Sequence, residues 1–162
     1  MTGSQRALET GRLVLEPLVA AHAPELFAAL SDPAIYRFID EKAPVSVEAL
    51  AARYGRLESR RSGDGSEHWL NWIAREKSSG IAVGYVQATV MPDGTAWVAY
   101  VIAPAHQRQG FGLEATTAMI AELRSAYGAK TLRASVDPGN AASINLLRAL
   151  EKIGLPISVE LA

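Results

Sequence analysis

The chain contains no cysteine. That excludes disulfides, a thiolate nucleophile and any cysteine-bound metal, and it suits a reducing, cytoplasmic setting. Long apolar runs are missing too. No stretch approaches the roughly 20 residues of a membrane-spanning helix, and Met1 to Arg12 carries no apolar signal-peptide core. Nor does one sign of charge dominate: 16 Lys and Arg stand against 17 Asp and Glu, a net charge of −1. No global basic field draws the protein to nucleic acid or to a membrane surface. No histidines and carboxylates recur at metal-binding helix-face spacing, so no metal is expected. A Gly-x-Ser-x-Gly signature for Ser-His-Asp catalysis is absent as well. What remains is 162 residues, 49% hydrophobic and 20% charged. That is enough to bury the core of one domain spanning 1–162, and too apolar for disorder.

Along the chain, strand and helix signals alternate without an internal repeat. Arg12 to Leu18 alternates apolar and polar residues as a strand does, and Val19 to Leu30 has helical spacing up to the stop at Ser31-Asp32-Pro33. Ser46 to Arg61 reads as a second helix, capped by Ser46 with Glu48 in its first turn. Trp69 to Arg75 and Ile81 to Val90 flank a hairpin signal at Lys77 to Gly80, and Ala96 to Ala103 follows the turn at Pro92-Asp93-Gly94. These three strands predict an antiparallel meander. Leu113 to Ala126 is a helix ended by Gly128, Thr131 to Val136 a strand, and Asn140 to Lys152 a helix with Asn140 as N-cap and Gly154 beyond its end. The last helix should turn Ile144, Leu147, Leu150 and Ile153 to the core. A strand–helix–strand passage places the strands at 96–103 and 131–136 in one sheet, parallel. The fold class is α/β, with a mixed, mostly antiparallel central sheet and flanking helices.

The stretch Gln107-Arg108-Gln109-Gly110-Phe111-Gly112 joins a strand to a helix. Its glycines permit a sharp turn and a close approach to a ligand. The helix start offers unpaired N–H groups and a dipole that favours anions, and Arg108 adds a cation. A pyrophosphate-sized anion fits there; a bare turn with a helix cap is the alternative. A P-loop is excluded because Leu113-Glu114, not Lys-Ser/Thr, follows Gly112. The dinucleotide pattern is formally met by Gly110, Gly112 and Ala115, but Pro104 to Gln109 separate the first glycine from the strand, against the Rossmann arrangement.

Three separated segments resemble the GNAT N-acetyltransferase superfamily, in the branch that acetylates ribosomal-protein N-termini. Gln107-x-x-Gly110-x-Gly112, within the passage Tyr100 to Gly110, resembles its acyl-CoA pyrophosphate loop. Thr10-Gly11-Arg12-Leu13-Val14-Leu15-Glu16-Pro17-Leu18 is similar to its first strand, and Val136 to Leu147, with Asn140 and Ser143 spaced Asn-x-x-Ser, to its fifth-strand-to-fourth-helix passage. The resemblance covers about residues 10 to 154, in the family's order. It implies acetyl-CoA as donor and a primary amine as acceptor, a protein N-terminus or a small amine. The backbone from Arg108 through Gln109, Gly110 and Phe111 to Gly112 would cradle the pyrophosphate. Backbone of Val101 and Ile102 would pair with the pantetheine in a gap between the strands at 97–103 and 131–136, with the Ile102 N–H near the thioester carbonyl. Asn140 would bond the pantetheine arm, and Ser143 would donate a proton to the leaving thiolate. Asn140 as a plain N-cap and Ser143 as a helix-start residue are the alternatives.

A general base is harder to find. The acidic residue common beside the family's third or fourth strand has no counterpart in Trp97-Val98-Ala99-Tyr100. Asp137, Glu67 and His68 are the candidates, with Asp137 also suited to a turn; His22 and His106 read as solvated residues. Trp69, Trp72 and Trp97 read as core, and Arg60 and Arg61 as helix-end cations. Tyr36 and Phe38 lie where the family builds its acceptor pocket. After Gly154 there is room for one short strand, Ile157 to Leu161, where the family continues with two. The C-terminal strands therefore look truncated, and the strand at 131–136 should have an open edge unless the tail or a second subunit of a homodimer covers it. A non-catalytic acyl-CoA-binding module, its acceptor half lost, is the rival to an enzyme.

Overall fold

A computed structural model describes residues 5–162. The strands are β1 (Leu8–Glu9), β2 (Leu13–Pro17), β3 (His68–Glu76), β4 (Ala82–Val90), β5 (Thr95–Ile102), β6 (Thr131–Val136) and β7 (Ser158–Leu161). The helices are α1 (Ala23–Leu30), α2 (Val47–Leu57), α3 (Phe111–Ala126) and α4 (Ala141–Lys152). The sheet runs β1 to β7 in chain order. Neighbours from β1 to β5 are antiparallel, and β5–β6 and β6–β7 are parallel, as expected for strands joined through α3 and α4. Among the described residues no helix is long and apolar enough to cross a membrane.

Strand alternation sends residues to two unlike faces. On one, Leu13, Leu15, Leu70, Trp72, Val86 and Val98 pack with Phe111, Met119, Ile120 and Leu123 of α3 and Leu147 and Leu150 of α4. Trp72 is fully buried and donates its indole N–H to the Arg6 carbonyl at 2.9 Å. Each such side chain contributes about 1.5–3 kcal/mol by burial. On the other face Ile73, Ala82, Tyr85 and Val101 meet Leu26 and Leu30 of α1 and Leu50 and Tyr54 of α2. Arg75 of β3 fastens α1 to this frame through Glu16 at 2.9 Å and Glu25 at 2.7 Å. Its hydrogen bonds hold both carboxyls below their ordinary range.

Several expectations change. Among the described residues the sheet has seven strands, and it shows no sign of the expected C-terminal truncation. The tail covers the edge of β6, pairing Arg133 to Val136 with Ser158 to Leu161. The free edge passes to β7, whose four residues are all exposed. Helix α2 ends at Leu57 rather than Arg61. Arg60 has a positive φ of 62° and reaches back to the Leu18 carbonyl at 2.7 Å, so it is not a helix-end cation. Ile153 is 55% exposed, because α4 stops before bringing it round to the core. The run before α1 opens as a tighter turn at Ala20–His22, and His22 is tied down rather than solvated. Its Nδ1 accepts the Val19 N–H at 3.1 Å and its Nε2 meets Glu16 at 3.1 Å.

Candidate functional site

Strand β5 pairs with β6 only from Thr95 to Trp97. Beyond Trp97 it continues to Ile102 against β4 alone, while β6 turns its remaining length to β7. The two parallel strands therefore splay apart, and Val98 to Ile102 has an edge with no strand on it. Ala103 donates to the Val83 carbonyl at 2.8 Å, so antiparallel alternation turns the N–H of Ile102 away from β4 and into the splay. The Val101 carbonyl points the other way. It lies 2.0 Å from where a Cβ on Gly84 would stand, so only glycine fits opposite it.

The splay opens onto the glycine loop. A short turn at Pro104–His106 leads to Gln107, whose Nε2 donates to the Ile102 carbonyl at 2.9 Å and ties the loop to the strand end. Arg108 (φ 63°) and Gly110 (φ 81°) adopt the left-handed conformation, and α3 starts at Phe111. The N–H groups of Arg108, Gln109 and Gly110 have no protein acceptor among the described residues. Those of Phe111, Gly112 and Leu113 lie in the first turn, where a helix supplies none. The result is a run of consecutive donors at a helix N-terminus, a geometry that binds anions. The two glycines differ in purpose. Gly110 is favoured by its φ, whereas Gly112 is helical and lies close under α4, where a Cβ would press on the end of the Leu146 side chain, Cδ1, at 2.9 Å.

Arg12 joins this loop from near the other end of the chain, a meeting that no local sequence signal announces. Its guanidinium stacks over the Phe111 ring at 4.4 Å, pairs with Glu114 at 2.8 Å, and has Nη2 3.3 Å from the Cβ position of Gly110. The Arg12 N–H also donates to Glu114, at 2.9 Å. Burial opposes ionisation of Glu114, but the hydrogen bonds from Thr10 and Arg12 outweigh it and hold the carboxyl below its ordinary range.

Across the splay stands the start of α4. Asn140 caps it, with Oδ1 accepting the Ser143 N–H at 3.1 Å, which leaves the Nδ2 donors free. Ser143 Oγ lies 2.6 Å from the hydroxyl of Tyr100, which projects from β5 and also reaches the Ser143 carbonyl at 3.1 Å. Burial raises the Tyr100 pKa, against the lowering effect of the Ser143 contact, so the phenol stays protonated near neutrality. Tyr100 is a second residue that sequence reading left out.

The opposite sheet face carries two hollows. One, of about 210 Å³, lies under α2 and is lined by Tyr36, Glu41, Arg53, Tyr54, Asn71 and Tyr85 among others. The second, about 280 Å³, extends over the sheet past Gln87, Val98 and Ala99 to Ser135 on β6. Arg53, Leu57, Asn71 and Gln87 line both, making one groove from α2 to the splay. Trp69 and Trp97 line this groove instead of joining Trp72 in the core. Tyr36 lines the hollow under α2, with its hydroxyl donating to the Leu30 carbonyl. Phe38 does not line it; its ring lies 3.2 Å from the Cβ position of Gly139.

None of the base candidates lines the groove. Asp137 Oδ1 accepts the Gly139 N–H at 2.7 Å and serves the turn before α4. Glu67 accepts from the Trp69 indole. His68 packs edge-on against Tyr127 at 5.2 Å, beyond the C-terminal end of α3. That places it about 24 Å along the helix from the glycine loop. Among the described residues Glu41 is the only carboxylate lining either hollow. Among the described residues no three His, Asp or Glu side chains are grouped to hold a metal.

Residues 12–155 match the family model of the acetyltransferase (GNAT) domain. No curated protein matches the sequence. Solved structures share the fold. The ribosomal-protein-S5-alanine acetyltransferase from Vibrio fischeri is 16% identical over 90% of this chain and 82% of its own, with a TM-score of 0.77. RimL, a ribosomal L7/L12 α-N-protein acetyltransferase solved in complex with coenzyme A, is 15% identical over 89% of this chain and 82% of its own, with a TM-score of 0.76. A GNAT-family acetyltransferase from Bacillus anthracis is 17% identical over 92% and 82%, with a TM-score of 0.73. The family match spans the splayed strands, the donor loop and both helix starts together, and on it the chain belongs to the GNAT family of acetyl-CoA-dependent N-acetyltransferases.

Proposed function

We propose that the protein moves an acetyl group from acetyl-CoA to a primary amine, a protein N-terminus or a small amine, by direct attack. The observation that carries this reading is the parting of β5 from β6 after Trp97, whose free strand edge runs straight into the unpaired N–H groups of residues 108–112. Coenzyme A has the matching shape, a peptide-like arm ending in a pyrophosphate. In this reading the N–H groups from Arg108 to Gly112 hold the pyrophosphate, with Arg12 beside them as a cation that Glu114 orients. The arm lies along β5 and bonds the Ile102 backbone and the Asn140 Nδ2. The acetyl carbonyl then faces backbone N–H groups that stabilise the oxyanion as it forms.

The acceptor enters by the groove on the other face, past Asn71 and Gln87. An ammonium must lose its proton before attack; water in the groove takes it, with Glu41 as a carboxylate lining the groove's far end. The thiolate that leaves, of solution pKa about 8.5, takes a proton from Ser143 Oγ, which Tyr100 replenishes through their hydrogen bond, and the phenol regains its proton from solvent before the next turnover. Acetyl-CoA as donor is tested by melting the protein with acetyl-CoA, coenzyme A and NAD in parallel. At a hundred times its dissociation constant a bound ligand adds about 2.7 kcal/mol of stability. The expected result is a raised melting temperature with the first two and none with NAD. A shift with NAD alone would replace this reading with a dinucleotide site.

A further inference from the structure

The hollow under α2 holds polar groups that the protein does not satisfy. Asn71 is 8% exposed and Tyr54 6% exposed, and both line the hollow. Neither side chain makes a hydrogen bond within the protein among the described residues, and neither has its polar atoms sealed from solvent, so both offer hydrogen-bonding groups to whatever enters the hollow. The charge around the mouth describes such a ligand further. Lys42, Arg53 and Arg56 line the hollow against one carboxylate, Glu41. The chain as a whole is slightly acidic, with a net charge of −1, so this cationic excess is local. Other arginines have carboxylate partners, Arg75 in Glu16 and Glu25, Arg6 in Glu122 and Arg12 in Glu114. The three cations at the hollow make no ion pair within the described residues.

The sheet register gives the distance a ligand must bridge. Asn71 pairs with Gln87, and Gln87 with Ala99, so the three form one row across β3, β4 and β5 on the groove face, ending at the splay. Two strand spacings separate Asn71 from Ala99, about 10 Å. An extended peptide covers that distance in about three residues. We propose that the acceptor is a peptide N-terminus that carries an acidic side chain within its first few residues. The α-amine lies over Ala99 at the splay, the chain follows the row across the sheet, and the acidic group meets Arg53 and its neighbouring cations. The phenol of Tyr54, its pKa pushed up to about 12 chiefly by burial, stays a hydrogen-bond donor throughout the working range.

This rests on the acetyl-transfer reading for the position of the amine, but its test does not need turnover. Short amidated peptides, Ala-Ala-Glu-Ala, Ala-Ala-Gln-Ala and Ala-Ala-Lys-Ala, and free glutamate are titrated by calorimetry into the protein saturated with coenzyme A. The acidic peptide should bind about tenfold more tightly than the neutral one, as a hydrogen-bonded charge pair allows. The lysine peptide should bind more weakly still. In Arg53→Gln/Arg56→Gln, exposed positions on α2, the acidic preference should shrink to about threefold or less. Equal affinity for the acidic and neutral peptides would overturn the proposal even if acetyl transfer holds. So would a preference for free glutamate over every peptide, since it would remove the need for an extended chain. Acid-selective binding that the double variant abolishes, with no acetyl transfer, would leave the acidic-peptide site standing and count against the enzymatic reading on which the peptide's role as acceptor rests.

Discussion

Gly110→Trp should abolish the stabilisation that acetyl-CoA confers while the chain still folds. Gly110 has a φ of 81°, a conformation that costs any other residue about 1–2 kcal/mol. A side chain there also projects toward Arg12 Nη2, 3.3 Å from its Cβ, at the mouth of the donor loop. The indole would fill the space reserved for a pyrophosphate and push Arg12 aside. The residue is exposed, so the core is not disturbed. Far-ultraviolet circular dichroism should match the parent, the melting temperature without ligand should fall by a few degrees, and the shift with acetyl-CoA should vanish. An undiminished shift would place the pyrophosphate elsewhere. Gly112 is a poorer site for this test, because it is buried with Leu146 Cδ1 2.9 Å from its Cβ position, so a bulky side chain would disturb α3–α4 packing.

Ser143→Ala should lower kcat by about a hundredfold, within the range for losing one proton donor, with the KM for acetyl-CoA changed little. Tyr100→Phe removes the hydroxyl 2.6 Å from Ser143 Oγ and should lower kcat by about tenfold. Because both act on one proton, the double variant should be no slower than Ser143→Ala alone. Losses that multiply would mean that the two hydroxyls act separately. A raised KM for acetyl-CoA in Ser143→Ala with kcat intact would make Ser143 a binding residue or a helix-start residue only.

These two tests also divide what the sequence told from what it withheld. The β5–loop–α3 and β6–α4 passages were legible because their signals are local. Gly110 must adopt a positive φ, Asn140 must cap a helix three residues before Ser143, and β6 was found at its observed ends, Thr131 and Val136. The contacts that complete the site are not local. Arg12 and Glu114 meet across 102 residues of sequence, and Tyr100 and Ser143 across 43. No periodicity encodes such a meeting; strand order and register do. The row Asn71–Gln87–Ala99 is a case in point, since three unremarkable residues become one track only once the strands are paired. Alternation in β3 and β5 sorts side chains between two faces, but it does not say which stretch of a face a helix will cover. Trp72 fell under α3, while Trp69 and Trp97 fell beyond the reach of α2 and line the groove. Two-residue β1 was too short to show alternation at all. The missing base has a related cause: the carboxylates near in sequence, Glu67 and Asp137, are spent on Trp69 and on a turn.

The central claim is that an acetyl group leaves acetyl-CoA for an amine on this protein. Its most direct test follows the thiol freed from acetyl-CoA, and the acetylated amine by mass spectrometry, over peptides with free N-termini and small primary amines. The account predicts thiol release that depends on the amine, matched one for one by N-acetylated product, and suppressed in Ser143→Ala. Saturable binding of acetyl-CoA with no thiol release over any amine would contradict it, and would leave an acyl-CoA-binding module in place of an enzyme.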